Sequence, residues 1–273
     1  MGELEGVQRR KLNAGQIEVL QLLYAFRFAT AVQLGKSQGK SNPGVVHARL
    51  NRLIEQGYIG RYFEPKFHLT ARPAVFYLLP KGAKFLHSLG KGSEKTTRLA
   101  RKNKTSSEQF INRHVAVYDL YHWLHDALGD KLHFFAKNEI DTKEHPYFPD
   151  PLQDGFFAVV DDRGEHEFIV DVYPDERPLR TAMARLKMYT DYMKANTYGA
   201  KAGEHPVFVG IFDTDAQEKA VHKRLRHLLA AAHAPGFRFL SVTKFRLKGS
   251  AFGDAVWGSN KKVTPENRVD LLS

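Results

Sequence analysis

Four carboxylates in the second half of the chain, Glu139, Asp150, Asp154 and Asp171, fall at or near the ends of predicted strands. Convergent carboxylate oxygens are what a hard divalent cation such as magnesium or manganese requires, and a metal held that way activates water for attack on a phosphodiester. Asp154 stands just before the predicted strand Phe156–Val160. Asp171 lies inside the predicted strand Phe168–Val172, and the tight turn Asp161-Asp162-Arg163-Gly164 joins the two. Paired antiparallel, these strands bring the two acids together. Alternation along the second strand puts Asp171 and Tyr173 on one face and Phe168, Val170 and Val172 on the other. An acid opposite an apolar face is also the plain expectation for any half-buried strand, so the weight rests on four acids sharing one sheet. Tyr173, Tyr189 and Tyr192 offer a tyrosine nucleophile as a weaker variant, since tyrosines at helical spacing also belong to cores.

The first part of the chain carries a different chemistry. Arg49, Asn51 and Arg52, with His47, occupy the polar face of one predicted helix, and these side-chain types reach base edges in a major groove. Lys36, Lys40 and Lys66 suit phosphate oxygens, while Arg61, His68 and Arg72 lie on a predicted hairpin and the basic segment at its tip. Residues 1–107 hold 19 Lys/Arg against 6 Asp/Glu, and residues 108–273 hold 22 against 24, so the net charge of +11 belongs to the first part. A basic module joined to a near-neutral one is the electrostatic footprint of nucleic-acid binding. No basic amphipathic helix with bulky aromatics on its other face points to a lipid surface instead.

Helices and strands must position these groups. Ile17, Leu20, Leu23 and Phe26 recur at helical spacing after Asn13, a predicted N-cap. Thr30 caps a short second helix that ends in the Gly35–Lys40 break. Ser41 or Asn42, with Pro43 at the first turn, opens a third helix whose inward stripe is Val46, Leu50, Leu53 and Ile54. Tyr58–Phe63 and Ala74–Leu79 then read as a hairpin, and Pro80 opens another helix. That order predicts a winged helix-turn-helix over residues 1–89, with a basic linker over 90–107. From Glu108 to Leu128 runs an amphipathic helix carrying His114. It is followed by the strand 132–140, the hairpin, a helix from Pro178, the strand Val207–Phe212, the helix Ala216–Ala232 and the strand Phe237–Phe245. This pattern predicts a second, mixed-sheet α+β or α/β domain over 108–245. Residues 246–273 read as a tail or an added strand, in which Arg246, Lys248, Lys261 and Lys262 surround Trp257 and either touch DNA or surround one anchoring ring.

Composition bounds the alternatives. A chain of 273 residues has room for two domains, and 42% hydrophobic with 26% charged residues is ordinary for a folded protein. The absence of cysteine removes disulfides, thiolate zinc sites and catalytic thiols. The acidic start Met-Gly-Glu-Leu-Glu-Gly is unlike a signal peptide, and no run approaches the roughly 20 apolar residues of a membrane span. A cytoplasmic location without membrane contact is the expectation.

Several segments, in this order and spacing, resemble the replication-relaxation family of plasmid and mobile-element proteins, which includes MOBC-type conjugative relaxases. They are the run from Arg49 to Ile59, Arg113-His114-Val115-Ala116-Val117-Tyr118-Asp119, the acid- and proline-containing entry at 148–155, the strand 168–172 followed by Asp175-Glu176-Arg177-Pro178, and the run from Leu186 to Tyr192. The resemblance implies a second domain similar to the PD-(D/E)xK nuclease fold. In that fold acids hold a metal ion and a lysine stabilises charge at the phosphate. Carried onto this chain, the metal-holding acids are Asp154, or Asp150 within Phe148-Pro149-Asp150, and Asp171, with Glu139 and His114 as accessory residues. Tyr173 stands where the motif lysine belongs, so Lys187 would have to reach in from the next helix. Val170 and Val172 stand where the family's strand acids belong. Degeneration of the nuclease site follows as one expectation.

The expected function is therefore binding of double-stranded DNA of a plasmid or mobile element, in replication, relaxation or transfer. A degenerate nuclease-like domain would then serve assembly, as a homodimer or with other transfer or replication proteins. A metal-dependent nicking enzyme, using magnesium or manganese, is the main alternative. A transcriptional repressor is the second, although no cofactor motif supports a ligand-sensing domain.

Overall fold

Side-chain caps start the first helices. In helix α1 (Ala14–Ala25) the Asn13 side chain accepts the Gln16 N–H at 2.9 Å, and the Gln16 side chain accepts the Asn13 N–H at 3.0 Å. Strand β1 (Phe28–Thr30) leads to α2 (Ala31–Ser37), where Thr30 and Gln33 repeat the same reciprocal cap. Asn42 accepts the Gly44 N–H ahead of α3 (Pro43–Glu55), which has proline in its first turn. The computed structural model describes residues 11–63, 72–174, 179–195, 205–233, 236–260 and 263–272. The chain divides into two units, Met1–Thr105 and Ser106–Ser273.

In the first unit, Leu20, Leu34, Leu50 and Leu53 are fully buried and join α1, α2 and α3 in one core. Strand β2 (Ile59–Tyr62) pairs antiparallel with β3 (Val75–Leu78), and β1 pairs with the other edge of β3. The sequence predicts no strand at β1, because three residues are too few to show alternation. The predicted tip of the hairpin, with Lys66 and His68, lies outside the described residues. Helix α4 (Pro80–Ser88) follows. The stretch 90–107, read as a basic linker, holds helix α5 (Glu94–Asn103), capped by Ser93. Its inward face is small and polar, with Thr96, Thr97, Ala100 and Asn103 buried. Asn103 donates to the Leu78 carbonyl at 3.0 Å and accepts from Arg27 Nε at 2.8 Å. The basic residues of α5 all face outward, which masks this stripe in the sequence.

The second unit begins with α6 (Glu108–Leu128), capped by Ser107, and β4 (Leu132–Ala136). Then follow β5 (Gly155–Asp161), β6 (Gly164–Tyr173), α7 (Leu179–Ala195), β7 (Val207–Phe212), α8 (Asp215–Ala232) and β8 (Phe239–Thr243). The predicted helix start at Pro178 lies outside the described residues. Seven strands form one mixed sheet in the order β10-β9-β8-β7-β6-β5-β4, where β9 is Trp257–Gly258 and β10 is Arg268–Val269. Strands β6, β7 and β8 run parallel, and β4, β5 and β6 pair antiparallel. Phe156, Ile169, Tyr173, Phe208 and Phe239 form a core with Leu186 and Tyr189 of α7 and Val221 and Leu225 of α8. The other face of the sheet is apolar too: Phe157, Phe168, Val170 and Val172 are buried, and α6 packs against β4 and β6. Both faces are therefore covered, as parallel strands require.

Residues after β8 add helix α9 (Lys244–Gly249) and two short edge strands, β9 (Trp257–Gly258) and β10 (Arg268–Val269). Trp257 is fully buried and Trp123 donates its indole N–H to the Ser250 carbonyl, so this segment is part of the unit. Lys261 and Lys262 lie outside the described residues. No described helix is long and apolar enough to cross a membrane.

Candidate functional site

The pairing of β5 with β6 places Gly155 opposite Val170, which sets Asp154 beside the strand that carries Asp171. Asp171 has the same parity as Ile169 and Tyr173, so it points to the face covered by α7 and is 1% exposed. The expectation of an acid on an open sheet face fails here because the strand is covered on both sides.

Two arginines meet these acids. Arg185 of α7 donates from Nε to Asp171 Oδ2 at 2.7 Å and from Nη2 to Oδ1 at 3.3 Å. Tyr189, one turn on, donates its hydroxyl to the same Oδ2. Arg113 of α6 donates from Nε to Asp154 Oδ2, which also accepts the Val172 N–H at 3.0 Å, and its Nη2 lies 3.9 Å from Asp171 Oδ1. Burial opposes the charge on Arg113 and Arg185, but the neighbouring carboxylates outweigh it and raise both guanidinium pKa values. Burial, then the charge of Asp171, drives the Tyr189 phenol well above its ordinary range. Lys137, just after β4, donates from Nζ to the Leu152 carbonyl at 2.8 Å. Burial lowers its ammonium pKa against a partial restoring pull from Asp154. A cleft of about 420 Å³ opens here, lined by Arg113, Lys137 and Arg185 with Thr181, Leu152 and Met188.

The remaining predicted members do not join this cluster. Lys187 is exposed on α7 and bridges to Asp191 at 2.6 Å, one helical turn along the surface. Arg185 takes the inward position instead, because 182, 185, 186 and 189 form the buried stripe of α7. Glu139 turns back to accept the Ala136 N–H at 3.0 Å. His114 Nδ1 bonds to the Phe110 carbonyl of its own helix at 2.8 Å, and Asp150 is exposed in the segment between β4 and β5. Among the described residues, no three His, Cys, Asp or Glu side chains stand close enough to hold a metal ion. Three of the four oxygens of the two acids that converge, Asp154 Oδ2 and both of Asp171, accept from guanidinium, phenol or backbone donors, with two fixed positive charges beside them. This donor set does not fit magnesium or manganese, which need several open carboxylate or carbonyl oxygens.

Arg113, Lys137 and Arg185 were absent from the sequence expectation. A usable signal existed for two of them. Arg113 is in helical phase with the buried Val117, Leu120 and Leu124, and Arg185 with Ala182 and Tyr189. An arginine on an apolar stripe calls for a buried acid as partner.

The first unit presents a second surface. His47, Asn51 and Arg52 are exposed on α3 together with Val45, which is 45% exposed. A groove of about 430 Å³ between α2 and α3 is lined by Lys36, Lys40 and His47, with Val32 at its edge 76% exposed. Arg49 departs from the expected face. Its guanidinium lies over Gly15 of α1, where an added Cβ would come within 2.6 Å, and it donates to Gln38, which in turn donates to Glu18 at 2.7 Å. Position 49 flanks the inward stripe 46, 50 and 53, so Arg49 ties α3 to α1. Arg61 is exposed on β2 and Arg72 is exposed before β3.

With its α+β architecture and seven-stranded mixed sheet, the chain matches the replication-relaxation family over residues 20–208. It belongs to that family. No curated protein matches it. Among solved structures, two variants of ZitR from Lactococcus lactis are similar at 20% and 19% identity, with TM-scores of 0.23 and 0.26. The matches cover 38% and 41% of this chain, and 58% and 73% of theirs. The restriction endonuclease FokI bound to DNA is similar at 12% identity and a TM-score of 0.33, over 85% of this chain and 43% of that one. The chain thus spans less than two thirds of the first ZitR variant and of FokI.

Proposed function

We propose that this chain is a DNA-binding protein acting in replication, relaxation or transfer of a plasmid or mobile element. In this reading the first unit is a winged helix-turn-helix that lays α3 in the major groove of double-stranded DNA. The second keeps a nuclease-like frame without hydrolytic chemistry and serves assembly, with a second copy or with other replication proteins. One observation carries the DNA-binding reading: exposed His47, Asn51 and Arg52 on α3 stand beside Lys36 and Lys40 on a unit rich in positive charge. Asn and Arg suit base edges, Val45 suits a thymine methyl group, and the lysines suit phosphates.

The nicking alternative draws on the convergence of Asp154 and Asp171 at one pair of strand ends. Against it stands the engagement of both acids by Arg113 and Arg185. The test is fluorescence anisotropy on labelled duplex DNA, with a parallel assay of supercoiled plasmid in magnesium, manganese or chelator. Tight duplex binding without relaxed product is the expected result. Metal-dependent relaxation that is lost in Asp171→Ala would replace this reading with the enzymatic one.

A further inference from the structure

We propose that the cleft between α6, α7 and the segment after β4 is a phosphate-binding site for nucleic acid, in which Arg113, Lys137 and Arg185 supply the positive charge that a metal ion would otherwise bring. This rests on the non-hydrolytic reading of the second unit. The charged lining residues of the cleft are all cationic, and Asp154 and Asp171 lie behind them, 6% and 1% exposed. The acids act as positioning residues: they fix the planes of two guanidinium groups, and while Arg185 also donates from Nη1 to the Pro151 carbonyl and contributes charge alone, Arg113 keeps its Nη groups for a ligand.

Donor accounting points to an anion. Arg113 spends Nε on Asp154, and among the described residues its two Nη groups meet no hydrogen-bond acceptor. Lys137 uses one of its three N–H donors on the Leu152 carbonyl. Thr181 also lines the cleft. Unmet donors on partly buried cations are best satisfied by charged oxygens, and a phosphate presents several in a compact tetrahedron. An anion would also restore the charge that burial disfavours on Lys137. Arg113 further lines an adjoining hollow of about 210 Å³ with Phe110 and Gln109, so the cleft continues toward an aromatic ring on which a base can stack.

The ligand is a phosphate of a nucleic-acid strand, either a terminal monoester or a backbone diester. The experiment uses the full chain, chelator throughout, and a fluorescent single-stranded thymidine hexamer bearing either a 5′-phosphate or a 5′-hydroxyl. A single strand of this length offers no major groove, so the result is independent of duplex recognition by α3. Lys137→Met, which keeps the packed stem, is expected to weaken binding about tenfold, the order of one charge-assisted contact. Thr181→Glu, which places an acid at the cleft, is expected to abolish binding, while exposed Lys223→Ala on α8 leaves it unchanged. Inorganic phosphate should compete. A preference for the 5′-phosphate assigns the monoester, and equal binding of both hexamers assigns the diester. Wild-type affinity in folded Lys137→Met and Thr181→Glu, or equal weakening by Lys223→Ala, overturns the proposal. Metal-dependent cleavage of plasmid would instead overturn the parent reading, and it is scored in a separate assay.

Discussion

Asp171 and Arg185 form a buried ion pair with almost no solvent to screen it. Such a pair adds little over a well-packed apolar pair, but removing one partner strands the other charge. Arg185→Met is therefore expected to destabilise the second unit by roughly 3–5 kcal/mol, read as a lower urea midpoint. Adding Asp171→Asn in the same chain should recover much of that loss, and a double variant no more stable than Arg185→Met would contradict the pairing. His222 shows the opposite electrostatics. Burial first, then the charges of Arg268 and Arg226, lower its pKa from 6.5 to about 4 while Nε2 sits 2.7 Å from Ser241 Oγ. Between these values the unfolded chain binds a proton that the folded chain refuses, so stability is greatest above pH 6.5 and falls as pH drops toward 4. The full loss is about 3 kcal/mol. Thermal denaturation across this window should show a steeper acid loss in the wild type than in His222→Gln, and identical slopes would refute the assignment.

Elements were legible in the sequence where periodicity was strong. The stripe Val46, Leu50 and Leu53 with the Asn42-Pro43 start defined α3, and alternation defined β5 and β6. Strand β1 was too short to show a period, and the charges of α5 hid a buried face made of threonine, alanine and asparagine. The site was legible only in part. Asp154 and Asp171 were found because hairpin pairing is local, whereas their arginines come from α6 and α7, more than ten residues away in sequence. Glu218 in α8 likewise holds Arg268 of the last strand at 2.6 Å, a link that no local pattern announces. Within α3, neighbours of the same charge separate by role. Arg49→Ala should lower the stability of the first unit by about 1 kcal/mol, through the lost bond to Gln38 and lost packing on α1. Arg52→Ala should leave the melting temperature unchanged and weaken duplex affinity about tenfold. Calorimetry beside anisotropy on both variants checks this, and a reversed pattern would remove α3 from the DNA interface.

At the scale of the whole molecule, positive charge is concentrated in residues 1–107 and the remainder is near neutral. Duplex affinity should then fall steeply with salt, by about 0.9 logarithmic units per tenfold rise in salt for each phosphate contact neutralised, and Lys36→Ala should shallow the slope by about that much. A flat salt dependence would place recognition elsewhere. Family membership connects the chain to replication-relaxation, and the engagement of Asp154 and Asp171 by arginines is the observation on which the proposed non-cutting reading rests. The most direct measurement incubates the full chain with supercoiled plasmid carrying its native flanking DNA, in magnesium and in chelator, and resolves retardation and relaxation on the same gel. Retarded but still supercoiled plasmid in both conditions is the predicted result. Relaxed circles that appear with magnesium and disappear in Asp171→Ala would contradict the account.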